Sequence, residues 1–134
     1  QWCSRRLIAD LQRKMSYDIS LKDPVTKETI EVEDAHFMQG GTYALGGTKE
    51  LWLNVTYNYG SIFRRPEVLG AEGIRAIYGM TGAESIPVLQ KAIANLGDDV
   101  SPDYWEATDG NAKRPLCQLL AMAQMRPDGI WDGD

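Results

Sequence analysis

Residues 51–59 read LWLNVTYNY, and this stretch decides the fold class. Leu51, Leu53 and Val55 alternate with polar or aromatic side chains, which is the period-two pattern of a strand with one buried face. The opposite face carries Trp52 and Thr56 and is therefore only partly apolar. The stretch predicts a strand that packs on a core with one side and meets a more polar environment with the other.

Shorter alternating runs precede this strand. Residues 17–21 (YDISL) and 29–33 (TIEVE) flank the turn-forming residues 23–27 (DPVTK), and this arrangement predicts a β-hairpin. The triplet GGT then occurs at 40–42 and again at 46–48. Glycine pairs allow positive φ, so we expect tight turns on either side of a short extended piece. The pattern as a whole predicts an antiparallel sheet of about four strands.

Helical periodicity dominates the second half of the chain. TGAE at 81–84 has the form of a capping box, but Pro87 disfavours a helix that begins so early. We therefore expect the main helix to begin near Ile86 and to end at Gly97. The other predicted helices span residues 3–14, 69–78 and 115–125.

The order of these elements predicts an α+β fold in which helices pack on one face of the antiparallel sheet, with an additional N-terminal helix. Long βαβ crossovers are absent, which argues against a Rossmann-type sheet. Met15 resembles a natural start, so residues 1–14 are expected to form an N-terminal helical leader or extension. Residues 15–134 are expected to form one domain.

Composition and charge narrow the functional classes. The chain has 134 residues and a net charge of −5, with 14 Lys and Arg against 19 Asp and Glu. An acidic surface repels phosphate backbones, so nucleic-acid binding is disfavoured despite a basic stretch in residues 1–15. No apolar run approaches the roughly 20 residues of a membrane-spanning helix, and no membrane association is expected. Two distant cysteines indicate a reduced, cytoplasmic protein.

Most catalytic signatures are missing from the sequence. One histidine and two distant cysteines exclude the common zinc patterns, and neither a phosphate-binding loop nor a GxSxG elbow occurs. Cys117 lies in the apolar run PLCQLLAMA and is expected to pack as a small hydrophobic residue. No metal or cofactor is predicted. The alternative is a small metal-dependent hydrolase or nuclease that uses His36 with Asp18, Glu31 or Asp34.

A group of polar and aromatic residues at strand ends is the best candidate site. These residues could bind a polar or anionic ligand if the strand that ends at His36 is adjacent in the sheet to the strand that precedes Tyr57. The alternative is a set of ordinary structural roles, in which the tyrosines cap the sheet and the arginines are solvated. The candidate ligand-binding residues are His36, Tyr57, Asn58, Tyr59, Arg64 and Arg65.

From residue 15 onward, several segments resemble a group of small proteins that phages, prophages and other bacterial mobile elements carry. The segments are YDISL at 17–21, DPVT at 23–26, GGTYALGGT at 40–48, LNVTYNY at 53–59, TGAESIP at 81–87 and RPDGIWDGD at 126–134. The resemblance implies one compact domain of phage-like origin, and it implies no activity or site residue.

These observations predict a non-enzymatic accessory protein that binds a macromolecular partner or a small polar or anionic ligand. A homo-oligomer is expected as well. The grounds are the small size, the aromatic content and the lack of a complete catalytic set.

Overall fold

The computed structural model describes residues 16–36 and 47–134, and the α+β prediction is confirmed. The predicted helix 3–14, Met15 and residues 40–46 of the glycine-bounded segment lie outside the described residues. The strands are β1 (Ser16–Lys22), β2 (Glu31–His36), β3 (Thr48–Glu50), β4 (Trp52–Thr56) and β5 (Ile130–Gly133). The helices are α1 (Gly60–Phe63), α2 (Gly82–Ala94) and α3 (Asp109–Met125), and 3₁₀ turns occupy Tyr57–Tyr59 and Gly73–Ile77.

The described strands form two antiparallel sheets, where the sequence predicted one sheet of about four strands. One sheet has the order β4-β1-β5, and the other consists of β2 and β3. The predicted hairpin exists only at its base, where the main-chain N–H of Ile30 donates to the oxygen of Leu21 at 3.0 Å. Because β4 and β5 occupy both edges of β1, the β2 strand pairs with β3 instead.

The register of the larger sheet places its apolar residues on one face. Tyr17 lies opposite Val55, and Ile19 lies opposite Leu53. All four are buried, and they join one core with apolar residues of α2 and α3. The other face carries Trp52 beside polar residues, and there Asn54 donates to the side chains of both Ser16 and Asp18 at 2.9 Å. The helices therefore cover one face of this sheet.

Both long helices begin earlier than predicted. Thr81 accepts from the main-chain N–H of Glu84 at 3.1 Å, and the Glu84 carboxylate accepts from that of Thr81 at 2.9 Å, so the capping box is confirmed. This cap starts α2 at Gly82 instead of near Ile86. The Thr108 hydroxyl caps α3 by accepting from the main-chain N–H of Asn111 at 3.1 Å, and α3 starts at Asp109 instead of about Pro115. A side-chain cap fixes each start, and the proline in the second turn removes only one hydrogen-bond donor.

The expectation for Cys117 was wrong, because its thiol is exposed. Leu116, Leu119 and Ala123 form the buried stripe of α3, and a residue one position after Leu116 is rotated about 100° away from that stripe. No helix among the described residues is long and apolar enough to cross a membrane.

Candidate functional site

The three residues Tyr57, Asn58 and Tyr59 form a 3₁₀ turn directly after β4. The hydroxyl of Thr56 caps this turn by accepting from the main-chain N–H of Asn58 at 3.1 Å. With three residues per turn, successive side chains point about 120° apart. The local geometry therefore sends the three candidate side chains in three directions.

Tyr59 points into the core, and Asn58 points toward a loop. Tyr59 is fully buried, and its hydroxyl donates to the main-chain oxygen of Tyr104. The Asn58 amide donates to the main-chain oxygen of Trp105 at 2.8 Å. Both candidate residues thus hold residues 98–106, which we call the aromatic loop.

His36 and Arg65 lie apart from this turn. His36 ends β2 and donates from Nε2 to the main-chain oxygen of Glu50 on the second sheet. Arg65 pairs with Asp109 at 3.0 Å. A hydrogen bond from the main-chain N–H of Gly97 lowers the pKa of Asp109, and the Arg65 guanidinium acts in the same direction. β2 and β4 do not pair as expected, because β2 pairs with β3 in a sheet separate from that of β4. The structure therefore does not gather the six candidate residues in one concavity.

Tyr57 instead lies in a cluster of arginines and tyrosines that the sequence patterns did not reveal. The guanidinium carbon of Arg75 lies 5.1 Å from the ring centre of Tyr17 and 5.7 Å from that of Tyr57. The two rings meet edge to face with their centres 4.5 Å apart. These distances are typical of cation–π contacts, so two aromatic rings hold the guanidinium in place. We call Arg75, Arg64, Tyr17, Tyr57 and Tyr78 the arginine–tyrosine site.

Hydrogen bonds fix the orientation of Arg75 further. Its Nε donates to the main-chain oxygen of Asp134 at 2.8 Å, and its Nη2 donates to the hydroxyl of Tyr57 at 3.3 Å. The Asp134 carboxylate in turn accepts from the main-chain N–H of Asp18 at 2.9 Å. Arg75 is nevertheless exposed, and it retains N–H donors that these bonds do not use.

Arg64, the residue directly after α1, lies at the same site. A Cβ added to Gly60 would lie 2.8 Å from Nη1 of Arg64 and 3.0 Å from the hydroxyl of Tyr17, so both groups crowd this glycine. Gly73 has a φ of +59°, and a Cβ there would lie 3.2 Å from Cγ of Arg64. The two glycines therefore leave the space in which the Arg64 side chain lies. Of the predicted candidates, Tyr57 and Arg64 come together here.

The site carries two guanidiniums, and among the described residues the nearby acidic residue is Asp134, which accepts from Arg75 through its main-chain oxygen. None of the ion pairs among the described residues includes Arg64 or Arg75. Burial raises the pKa of Tyr78 above its ordinary value, and the nearby Asp134 acts in the same direction, so this phenol stays neutral. The Tyr78 hydroxyl is buried, so the two exposed guanidiniums supply the hydrogen-bond donors with which this cluster can hold an anionic group.

Two grooves flank the turn between β1 and β2, toward the other end of β1. One has a volume of about 470 Å³ and includes Lys22 and Asp132 in its lining; the other, of about 350 Å³, includes Asp23 and Arg126. Lys22 pairs with Asp132 at 3.4 Å, and Arg126 lies 3.6 Å from Asp23. These four charged side chains already have partners within the chain, so they are less available to bind an ionic ligand than the two arginines of the arginine–tyrosine site.

The carboxylates considered for a metal site are also dispersed. Asp18 is on β1 and accepts from Asn54, whereas Glu31, Asp34 and His36 are on β2 of the other sheet. Within residues 16–36 and 47–134, no group of three or more His, Cys, Asp or Glu side chains is placed to hold a metal ion.

No protein-family model matches the chain, and no curated protein or solved structure is significantly similar to it.

Proposed function

We propose that this chain is a non-enzymatic, cytoplasmic binding module of phage-like origin that holds an anionic group, a carboxylate or a phosphate, at the arginine–tyrosine site. One observation carries the proposal. Arg75 is exposed and fixed by two rings and two hydrogen bonds, yet none of the ion pairs among the described residues includes it. A guanidinium ordered in advance loses little entropy when it binds an anion.

The net charge of the chain also supports an anion site at Arg64 and Arg75. The protein carries a net charge of −5, so carboxylates are available to pair with an arginine. Arg65 and Arg126 pair with carboxylates, whereas the ion pairs within residues 16–36 and 47–134 include neither Arg64 nor Arg75. Two charge-assisted hydrogen bonds could together contribute about 4 kcal/mol, which corresponds to a Kd on the order of 1 mM for a simple anion.

The chemistry of the site fits binding better than catalysis. Guanidiniums and neutral phenols donate hydrogen bonds, and burial raises the pKa of Tyr78, which opposes its use as a base. We therefore assign the site the recognition of an anionic ligand or an anionic group of a partner.

Titration of the chain with inorganic phosphate and with acetate tests the proposal. We expect each anion to raise the Tm of the wild-type protein more than that of Arg75→Gln or Arg64→Gln. Lys49→Gln is the matched control, because it removes an exposed positive charge on β3. This comparison cancels the general stabilising effect of salts. Equal Tm increases in all four proteins would overturn the proposal.

A further inference from the structure

We infer that a second copy of this chain supplies the anionic group, through the carboxylates of its aromatic loop. This inference rests on the proposed function and names the partner. The two surfaces have opposite charge and lie on the same chain, so two copies can bind each other reciprocally.

The aromatic loop is held in one conformation although it contains no helix or strand. Asn111 is buried and donates to the main-chain oxygens of Asp103 and Glu106 at 3.0 and 3.1 Å. Its side-chain oxygen accepts from the main-chain N–H of Ser101 at 3.1 Å. The loop is therefore a preorganised surface, and docking it on a partner costs little conformational entropy.

The exposed side chains of this loop are apolar or acidic. Trp105 is 37% exposed and Val100 is 47% exposed, and tryptophan is among the residues most often found at binding hot spots. Asp99 and Glu106 are exposed, and neither takes part in the ion pairs formed by the described residues. The Glu106 carboxylate accepts from the hydroxyl of Ser101 at 2.5 Å, and this bond orients it within the loop. Such a surface of carboxylates and an indole is complementary to guanidiniums. A guanidinium can pair with a carboxylate and can stack on the neighbouring indole ring.

The two surfaces are neighbours on the molecule. Tyr57 contacts Arg75, and the next residue, Asn58, holds Trp105 at the edge of the aromatic loop. A contact in which each copy places its loop on the arginines of the other is therefore self-complementary. Such contacts generate closed two-fold dimers.

Sedimentation equilibrium at low ionic strength with charge-reversed variants tests the inference. We expect wild type to dimerise, and we expect both Arg64→Glu/Arg75→Glu and Asp99→Lys/Glu106→Lys to be monomers. An equimolar mixture of the two variants should form a heterodimer, because the reversed charges are again complementary. The control Lys49→Glu/Lys91→Glu changes exposed lysines elsewhere and should leave the dimer unchanged.

Two further measurements keep the inference falsifiable if a charge-reversed variant does not fold. Arg75→Gln and Trp105→Ala should each raise the dimer dissociation constant about tenfold or more, and inorganic phosphate should dissociate the wild-type dimer by competition. A wild-type chain that is monomeric yet binds phosphate at Arg75 would overturn this inference and leave the proposed function intact. A dimer that none of these variants weakens would also overturn it. A wild-type chain that is monomeric and binds no phosphate would overturn both the dimer inference and the proposed function.

Discussion

The side-chain amide of Asn58 donates to the main-chain oxygen of Trp105 at 2.8 Å, although the two residues are 47 positions apart. This bond joins the end of β4 to the aromatic loop. The neighbouring Tyr59 reinforces it by donating to the main-chain oxygen of Tyr104. The turn after β4 therefore positions the exposed indole at one side and contacts Arg75 at the other.

Asn58→Ala should lower the free energy of unfolding by about 1 kcal/mol and increase amide exchange in the aromatic loop, because the bond to Trp105 is lost. Thr48→Ala is the matched control, since the hydroxyl of Thr48 accepts from the main-chain N–H of Glu50 at 3.1 Å on β3, away from the loop in sequence. The control variant should lower the free energy of unfolding, measured in urea, by a similar amount without changing amide exchange in residues 98–106. Loop exchange that rises equally in both variants would contradict this role of Asn58.

Gly60→Ala should weaken the binding of inorganic phosphate several-fold while changing the free energy of unfolding by less than about 1 kcal/mol. The added Cβ would lie 2.8 Å from Nη1 of Arg64, so the flexible guanidinium must move away from Tyr17. Gly97→Ala is the control, because its Cβ would make only an ordinary contact, 3.5 Å from Asp109. Calorimetric titration measures the affinity, and unchanged binding in Gly60→Ala would show that the position of Arg64 does not matter.

Asp134→Asn should strengthen phosphate binding several-fold. The substitution removes a negative charge beside Arg75, while an asparagine oxygen can still accept from the main-chain N–H of Asp18. Glu33→Gln removes an exposed charge on β2 and should leave the affinity unchanged. Weaker binding in Asp134→Asn would indicate that this carboxylate helps to bind the ligand or to order the site.

The stability of α2 should fall at acidic pH. Hydrogen bonds from the main chain and hydroxyl of Thr81 lower the pKa of Glu84 from its ordinary value of 4.5. A lowered folded-state pKa means that the stabilisation is complete above 4.5 and is lost as the pH falls through the lower folded value. Glu84→Gln should therefore lose less stability than wild type between neutral pH and about pH 3. Glu67→Gln is the control, and urea unfolding at each pH provides the measurement; identical pH dependence in all three proteins would contradict the assignment.

Local patterns predicted the elements of the fold better than their arrangement. The alternation in residues 17–21 and 51–57 identified β1, β4 and their buried faces, because side-chain direction follows from strand geometry alone. The pairing of β2 could not be derived in this way, since it depends on which edges of β1 are occupied. Strand β5 was missed because IWDG is short and contains two residues that are unfavourable in strands.

The candidate site was also predicted only in part, because its residues come together through the tertiary arrangement. Tyr57 and Arg64 were selected because they follow a strand, and the structure brings them together through Tyr17. Arg75 lies in the 3₁₀ turn Gly73–Ile77, where the sequence predicted a longer helix over 69–78. Its partners come from β1, the turn after β4 and the end of the described chain. Only the tertiary fold joins them.

The side-chain Nε–Hε resonance of Arg75 in a nitrogen-15-labelled protein tests the central claim most directly. Arg65 and Arg126 are internal controls, because both already pair with carboxylates. On titration with inorganic phosphate, we predict a saturable shift of the Arg75 resonance, identified by its absence in Arg75→Lys, and much smaller shifts for the two controls. A shift that is linear in phosphate concentration and equal for all three arginines would contradict an anion site at Arg75.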